Sequence, residues 1–325
     1  MKSVALSSFG MLLKREFWEN RGSFWTLPLG IGGFFVFVTV ALLTALSTVI
    51  NEIDGEKFLL TRAVAAIKEV PKDQLDVLWD LNLLGSSAIY HLILLFVVFF
   101  YFLGSLYDDR RDRSFLFWKS LPISDTKTTL SKLVAGSLVA PFLWVIAIAL
   151  MHVAMLIIAS VLFLFSDIPV YEYLWGPADP LNVWTFMLAA YFVQAFWMLP
   201  VWGWAILASA FARSKPFLWA VAPPVLLGIV YQWITATQYL SFDFSYWQVL
   251  GNRLLGGVVP IELSIQNDSI QVGTLSFDSD GVTESPASWA SVFERFGQAD
   301  LWWGVAFGVV CIAAAIYIRR YRDDA

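Results

Sequence analysis

Charge and cysteine are scarce in this sequence, and each scarcity excludes a class of protein. Charged residues make up 14% of the 325 residues, against about 25% in an ordinary soluble domain. The single cysteine, Cys311, cannot form an internal disulfide. A phosphate-binding loop of the form G-x-x-x-x-G-K-[ST] is absent, so the chain offers no nucleotide site of this kind. With 58% hydrophobic residues and a mean hydropathy of +0.68, the sequence is that of an integral membrane protein.

Long apolar runs are what the sequence has instead. Crossing a bilayer takes about 20 mostly apolar residues, and six segments are long enough: 27–50, 84–106, 135–165, 184–212, 217–235 and 301–318. None of the 21 basic or 26 acidic residues falls inside them, as expected when burying a charge in lipid costs about 3 kcal/mol. Four prolines (Pro141, Pro200, Pro223 and Pro224) are expected to kink or break their helices. We therefore predict an all-α protein with six transmembrane helices.

The distribution of basic residues predicts which ends of the spans are cytoplasmic. If the N-terminus is cytoplasmic, all but six of the 21 Lys and Arg residues lie on the cytoplasmic side. The exceptions are Lys57, Arg62, Lys68, Lys72, Arg253 and Arg295. The positive-inside rule then predicts that both termini are cytoplasmic. The predicted organisation is a cytoplasmic amphipathic helix (1–24), five spans (25–235), an extracytoplasmic module (236–299) and a last span with a cytoplasmic tail (300–325).

Two outer connections are long enough to fold. Residues 51–83 contain EKFLLTRAVAAIKEV, whose spacing fits an amphipathic helix, and a second helix is predicted after Pro71. Within 236–299, IELSIQND and SIQVGTLSFDSDG alternate apolar and polar residues around Asn267-Asp268. This alternation predicts a β-hairpin.

The N-terminal stretch SSFGMLLKREFWENRGSFW predicts an interfacial amphipathic helix. Its apolar stripe consists of Phe9, Leu12, Leu13, Phe17 and Trp18. The remaining surface carries Lys14, Arg15, Glu16 and Glu19. Such a helix serves either as a simple anchor or as a lever that moves with the spans, and Lys14, Arg15 and Glu16 are candidates for contact with a partner.

A charged and aromatic segment, 107–132, connects the second and third spans on the basic side. Six charges from Asp108 to Arg113 are followed by an apolar patch that ends at Pro122. One interpretation is a short surface helix that docks on a partner. The other is positive-inside charge with interfacial aromatics. The candidate docking residues are Arg113, Ser114, Phe115, Leu116, Phe117, Trp118, Lys119 and Pro122.

Polar residues within the spans are few. His91 and His152 have no carboxylate or thiol near them in sequence, so we interpret them as hydrogen-bonded interior histidines rather than metal ligands or a proton relay. Gln194 and Gln232 are expected to bond between helices or to line a substrate path. Arg213 and Lys215 form a basic turn, which is either a plain connector or a further partner contact.

The N-terminal amphipathic helix, the six spans and the segment DDRRDRSFLFWKSLPISDTKTTLSKLVAG (108–136) together resemble the transmembrane subunit of ABC-2 type ABC exporters. The specific matches are Pro122, Ile123, Ser124 and Lys132. The resemblance implies a subunit of the bacterial cytoplasmic (inner) membrane that pairs with a second permease subunit, identical or related. It also implies a separate ABC ATPase subunit, which holds the ATP and Mg²⁺ and receives residues 113–120 as a coupling helix. An apolar path at the dimer interface would carry a lipid, peptide or hydrophobic drug.

The alternative is a non-transporting scaffold or assembly factor that acts through its extracytoplasmic module. A membrane-embedded enzyme is less favoured, because its polar catalytic set would have to come from His91, His152 and scattered hydroxyls. We expect no cofactor in this chain, no metal and no nucleic acid partner; membrane lipid is an expected partner.

Overall fold

Helices form most of the structure, a computed structural model that describes residues 2–53, 66–112, 123–237, 245–256, 263–266, 269–272, 277–278, 281–282 and 289–321. The helices are α1 (Lys2–Glu19), α2 (Leu27–Ile53), α3 (Leu75–Ser105), α4 (Tyr107–Arg111), α5 (Asp125–Val134), α6 (Ala140–Phe165), α7 (Pro180–Trp197), α8 (Leu199–Phe211), α9 (Pro216–Ala236), α10 (Tyr246–Leu255), α11 (Trp289–Glu294) and α12 (Ala299–Tyr321). Short π-helical turns, Gly22–Thr26 and Ala135–Val139, lead into α2 and α6.

Five helical segments among the described residues are long and apolar enough to cross a membrane: Gly22–Ala45, Lys72–Arg111, Asp125–Phe165, Pro216–Ala236 and Ala299–Tyr321. A sixth candidate is the pair formed by Tyr171–Trp197 and Leu199–Phe211, which is bent by 57°. The sequence predicted one span over 184–212, and the structure divides it at Met198. Pro200 follows two residues later, and its missing N–H weakens a continuous helix at this point.

Capping side chains fix several helix starts. Ser124 accepts a hydrogen bond from the Lys127 amide at 3.3 Å and begins α5. Asp179 accepts from the Asn182 amide at 3.1 Å, with Pro180 at the first position of α7. Both follow the preference for Ser or Asp at the N-cap and for Pro directly after it.

Helix α9 continues through Pro223 and Pro224. Because Pro224 has no N–H, the carbonyl of Ala220, four residues earlier, loses its partner within the helix. The Trp204 indole, on α8, donates to that carbonyl at 2.8 Å. The proline therefore creates an acceptor that joins two neighbouring helices.

Aromatic rings fill the centre of the helical core. Phe24, Tyr90, Phe102 and Trp144 are fully buried. Tyr90 meets Trp144 edge to face with ring centroids 6.1 Å apart, and Phe24 meets Tyr101 in the same way at 5.2 Å. This packing joins the turn before α2 to α3 and α6.

The closest helix crossing joins α8 to α12. A Cβ atom added at Gly203 would lie 2.6 Å from the carbonyl oxygen of Gly308, and one added at Gly308 would lie 2.6 Å from that of Leu199. The two backbones therefore approach closely where neither glycine has a side chain, as at other small-residue crossings in membranes.

The outer connections differ from the prediction in part. The helix predicted over EKFLLTRAVAAIKEV lies mostly at residues 54–65, outside the described residues. The chain is helical after Pro71, as predicted, but this helix is continuous with the second span: a 3₁₀ turn (Lys72–Gln74) runs directly into α3. In the second connection, Leu263–Gln266 (β1) pairs antiparallel with Ser269–Val272 (β2), and Phe277–Asp278 (β3) pairs with Gly281–Val282 (β4). The extracytoplasmic position of this module remains a prediction.

Candidate functional site: a buried ion-pair cluster

Six charged side chains from four helices meet at the end of the bundle where α1 lies. We call this group the ionic cluster. Its members are Arg15 and Glu16 of α1, Asp109 of α4, Asp125 and Lys132 of α5, and Arg319 of α12.

Glu16 lies at the centre of the ionic cluster, and 1% of its surface is exposed. Its carboxylate is 3.2 Å from the Lys132 ammonium and 3.2 Å from the Arg15 guanidinium. The Tyr101 hydroxyl donates to it at 2.8 Å. These contacts fasten α1 to both α3 and α5.

Asp109 provides the second carboxylate. It lies 3.5 Å from Lys132 and 3.2 Å from Arg319. The same Arg319 guanidinium donates to Asp125 at 3.0 Å. Asp109 precedes the segment 113–122 and Asp125 follows it, so Arg319 joins the two flanks of that segment.

The neighbouring Arg110 fixes the turn between α3 and α4. Its guanidinium donates to the carbonyls of Ser209 at 2.6 Å and Ala212 at 2.9 Å, at the end of α8. The Ser209 hydroxyl accepts from the amides of Leu106 and Tyr107, both at 2.9 Å. The backbone that carries Asp109 is therefore held against α8.

Charge balance makes this burial tolerable. Three cations (Arg15, Lys132 and Arg319) face three carboxylates (Glu16, Asp109 and Asp125). A buried ion pair adds little net stability, but removing one partner leaves an uncompensated charge and is strongly destabilising. The arrangement therefore fixes how four helices are placed and makes that placement sensitive to each member.

The candidate docking residues lie outside the described residues. These are Arg113, Ser114, Phe115, Leu116, Phe117, Trp118, Lys119 and Pro122. The structure thus gives the two ends of the segment, and its predicted role stays a prediction.

The other candidate contacts divide into two groups. Lys14, Arg213 and Lys215 are exposed, and Lys215 adopts a left-handed backbone conformation (φ 51°) directly before α9. Arg15 and Glu16 instead bind their charge partners within the chain.

Both histidines are hydrogen-bonded interior residues, as predicted. His152 accepts from the Trp184 indole at 3.1 Å, and its other ring nitrogen lies 3.1 Å from the Ser86 hydroxyl. His91 contacts the Tyr191 hydroxyl and lies 2.9 Å from that of Ser87. Across the part of the chain that the structure describes, no three His, Cys, Asp or Glu side chains are placed to hold a metal ion.

Gln194 and Gln232 are not brought together. Gln194 is 8% exposed and lines a small cavity together with His91, Ser137 and Tyr191. Gln232 is exposed on α9. Of the two, Gln194 is the one that faces an internal space.

A second group of polar contacts lies beside the bend at Met198. The Arg253 guanidinium is 4.1 Å from the centre of the Trp197 ring and donates to the carbonyls of Trp197 at 3.0 Å and Asp300 at 2.8 Å. Arg295 lies over the same ring at 5.1 Å. Burial, together with the charge of Arg295, lowers the pKa of Arg253, while Asp300 opposes this shift. From the sequence, Arg253 and Arg295 were expected only as basic residues of the outer side, with no role in a site.

Sequence reasoning also missed Asp109, Asp125 and Arg319 as members of one site. The residues that Arg319 binds are 210 and 194 positions away in the chain. The only signal available was that several charges on the basic side alternate in sign. Comparison of the chain with protein-family models, with curated proteins and with solved structures finds no match.

Proposed function

We propose that this chain is the transmembrane subunit of an ATP-driven exporter of the ABC-2 type, working with a separate ATPase subunit and a second permease subunit. The observation that carries the proposal is the bridge that Arg319 makes between Asp109 and Asp125. It gives the predicted coupling segment two flanks that are anchored to the bundle, so a push on that segment reaches several spans.

The topology expected of such a subunit is supported by where the helix ends meet. Helix α1 and the end of α12 both contribute to the ionic cluster, so both lie at one face of the bundle. An even number of crossings is required for this. Five single spans and the bent pair α7–α8, taken as one span, give six.

The bent pair connects the two faces, which favours counting it as one span. The end of α8 accepts hydrogen bonds from Arg110, beside the ionic cluster. The start of α7 lies at the other end, where Asn182 accepts from the Trp289 indole at 2.9 Å. We place the ionic cluster at the cytoplasmic surface because most basic residues lie on that side.

The proposed mechanism is mechanical. ATP binding closes the two ATPase subunits, and the motion enters through residues 113–120. Lys132 and Glu16 pass it to α1, while Asp109 and Arg319 pass it to α12. The gap between two protomers then changes and moves an apolar or amphipathic substrate.

The test is purification of the tagged chain from membranes of its native cell, with the ATPase activity of the complex as readout. The wild-type chain should bring an ATPase subunit with it, and Trp118→Asp should release that subunit. Trp175→Asp, an exposed tryptophan far from the ionic cluster in the sequence, is the matched control and should retain it. The proposal is wrong if the active chain carries no ATPase, or if both variants behave alike.

The scaffold alternative makes the opposite prediction. On that alternative the purified wild-type chain recruits no ATPase subunit, and deletion of residues 260–285 abolishes function.

A further inference from the structure

An open groove runs along the surface between the start of α2 and the middle of α3. Its lining includes Ser23, Thr26, Gly30 and Phe34 from the first helix and Ile89 and Ile93 from the second. Only 11% of the apolar 18-residue stretch within the span Gly22–Ala45 is buried, so most of this span faces outward from the bundle.

The groove has one polar end and one apolar end. Ser23 and Thr26 supply hydroxyls close to the ionic cluster end of the bundle, whereas Phe34, Ile89 and Ile93 supply only hydrocarbon. The polar end is held in place, because the buried Trp144 indole donates to the Ser23 carbonyl at 3.2 Å. This polarity matches a molecule with a polar head and a single apolar chain.

The length of the groove favours a lipid chain over a helix. From Gly22 to Phe34 the helix rises about 18 Å at 1.5 Å per residue. One leaflet of the hydrocarbon core is about 15 Å thick, and a transmembrane helix of a second copy would need about 30 Å. The length of the groove along the helix therefore matches the thickness of one leaflet.

Arg21 adds a charge at the polar end. It is exposed and directly precedes Gly22, and among the described residues it forms no ion pair, in contrast to Arg15 and Lys132. A cation at the membrane surface attracts anionic lipid headgroups.

We propose that this groove binds one acyl chain of an anionic phospholipid, whose phosphate lies beside Arg21, Ser23 and Thr26. The proposal does not depend on the function proposed above, since it concerns the surface of the chain alone.

Two glycines on α2 give a matched test. A Cβ atom at Gly30 or at Gly33 would meet nothing within 4 Å, and both glycines are exposed, so a side chain can begin at either position without displacing a neighbour. Gly30 lines the groove and Gly33 does not. Gly30→Phe is designed to place a phenyl ring in the groove. Gly33→Phe places the same ring on the same helix but outside the groove.

The experiment is native mass spectrometry of the full chain in detergent, titrated with phosphatidylglycerol or phosphatidylcholine. Gly30→Phe should lower the affinity for the first bound phosphatidylglycerol molecule by about tenfold. The loss of roughly two buried methylene groups of the acyl chain predicts an effect of this size. Gly33→Phe should bind like wild type. Arg21→Gln should reduce the preference for phosphatidylglycerol over phosphatidylcholine by about fivefold, the contribution of one basic residue at the surface.

Equal affinity in Gly30→Phe and Gly33→Phe would overturn the proposal. So would a change in the oligomeric state of Gly30→Phe with unchanged lipid affinity, because a second copy of the chain would then occupy the groove. Unchanged headgroup preference in Arg21→Gln would refute the role of the phosphate.

Discussion

The guanidinium of Arg319 lies 3.2 Å from the carboxylate of Asp109, a residue 210 positions earlier in the chain. Because Arg319 also binds Asp125, one side chain from the last helix holds both sides of the connection between α4 and α5. The contacts around this arginine lead to testable expectations for stability.

Arg319→Ala should destabilise the protein by about 3 kcal/mol, since it leaves Asp109 and Asp125 with less positive charge in a buried setting. The adjacent Arg320 is exposed and contacts the Tyr321 ring, so Arg320→Ala is the control and should have little effect. Melting temperatures of the purified variants in one detergent measure the difference. Equal shifts in the two variants would mean that the bridge has no structural role.

Glu16→Gln should also lower the melting temperature, by an amount equivalent to about 3 kcal/mol, because Lys132 loses its nearest carboxylate. Glu19, whose side chain is 48% exposed, pairs with Arg15, and Glu19→Gln should cost less than about 1 kcal/mol. The double variant Glu16→Leu with Lys132→Met should be more stable than either single variant. Additive losses would show that the two charges do not act as a pair.

Gly203→Ala should disrupt the crossing of α8 and α12, because the new Cβ would lie 2.6 Å from a backbone oxygen that cannot rotate away. We expect a loss of about 1–3 kcal/mol, the usual cost of overpacking. Gly33→Ala, on an open surface, should be neutral. Thermal unfolding followed by light scattering compares the two, and a neutral Gly203→Ala would contradict the close approach.

Trp204→Phe removes the indole donor to the Ala220 carbonyl and should cost about 1–2 kcal/mol, since a buried acceptor is left unpaired. In a Pro224→Ala background, residue 224 regains an N–H that bonds Ala220 within α9. The same Trp204→Phe change should then cost less. A thermodynamic cycle over the four proteins measures this coupling, and an unchanged cost would show that the proline does not create the acceptor.

The sequence predicted the helical, membrane-spanning class because hydropathy and the absence of charge are local properties that accumulate over about 20 residues. It also predicted interior hydrogen bonds for His91 and His152, and these are confirmed. Pro200 was expected to break or kink its helix, and the helix breaks at Met198, between the end of α7 at Trp197 and the start of α8 at Leu199.

The ionic cluster could not be predicted in the same way. Glu16 and Lys132 are 116 positions apart, and nothing in either local sequence states which of many charges on the basic side will be the partner. The angle of 57° between α7 and α8 could not be predicted either. A proline indicates where a helix weakens, but it does not indicate the direction that the next helix takes. After the bend, Gly203 of α8 lies against Gly308 of α12, a tertiary contact that the local sequence does not show.

The contact between Gly203 and Gly308 has a consequence for how the membrane part can move. At this contact Gly203 brings no side chain of its own and lies against the backbone of Gly308, so we expect α8 and α12 to move together. If α8 and α12 move together, a displacement of Arg319 at one end of α12 would also shift the start of α8 beside the bend at Met198.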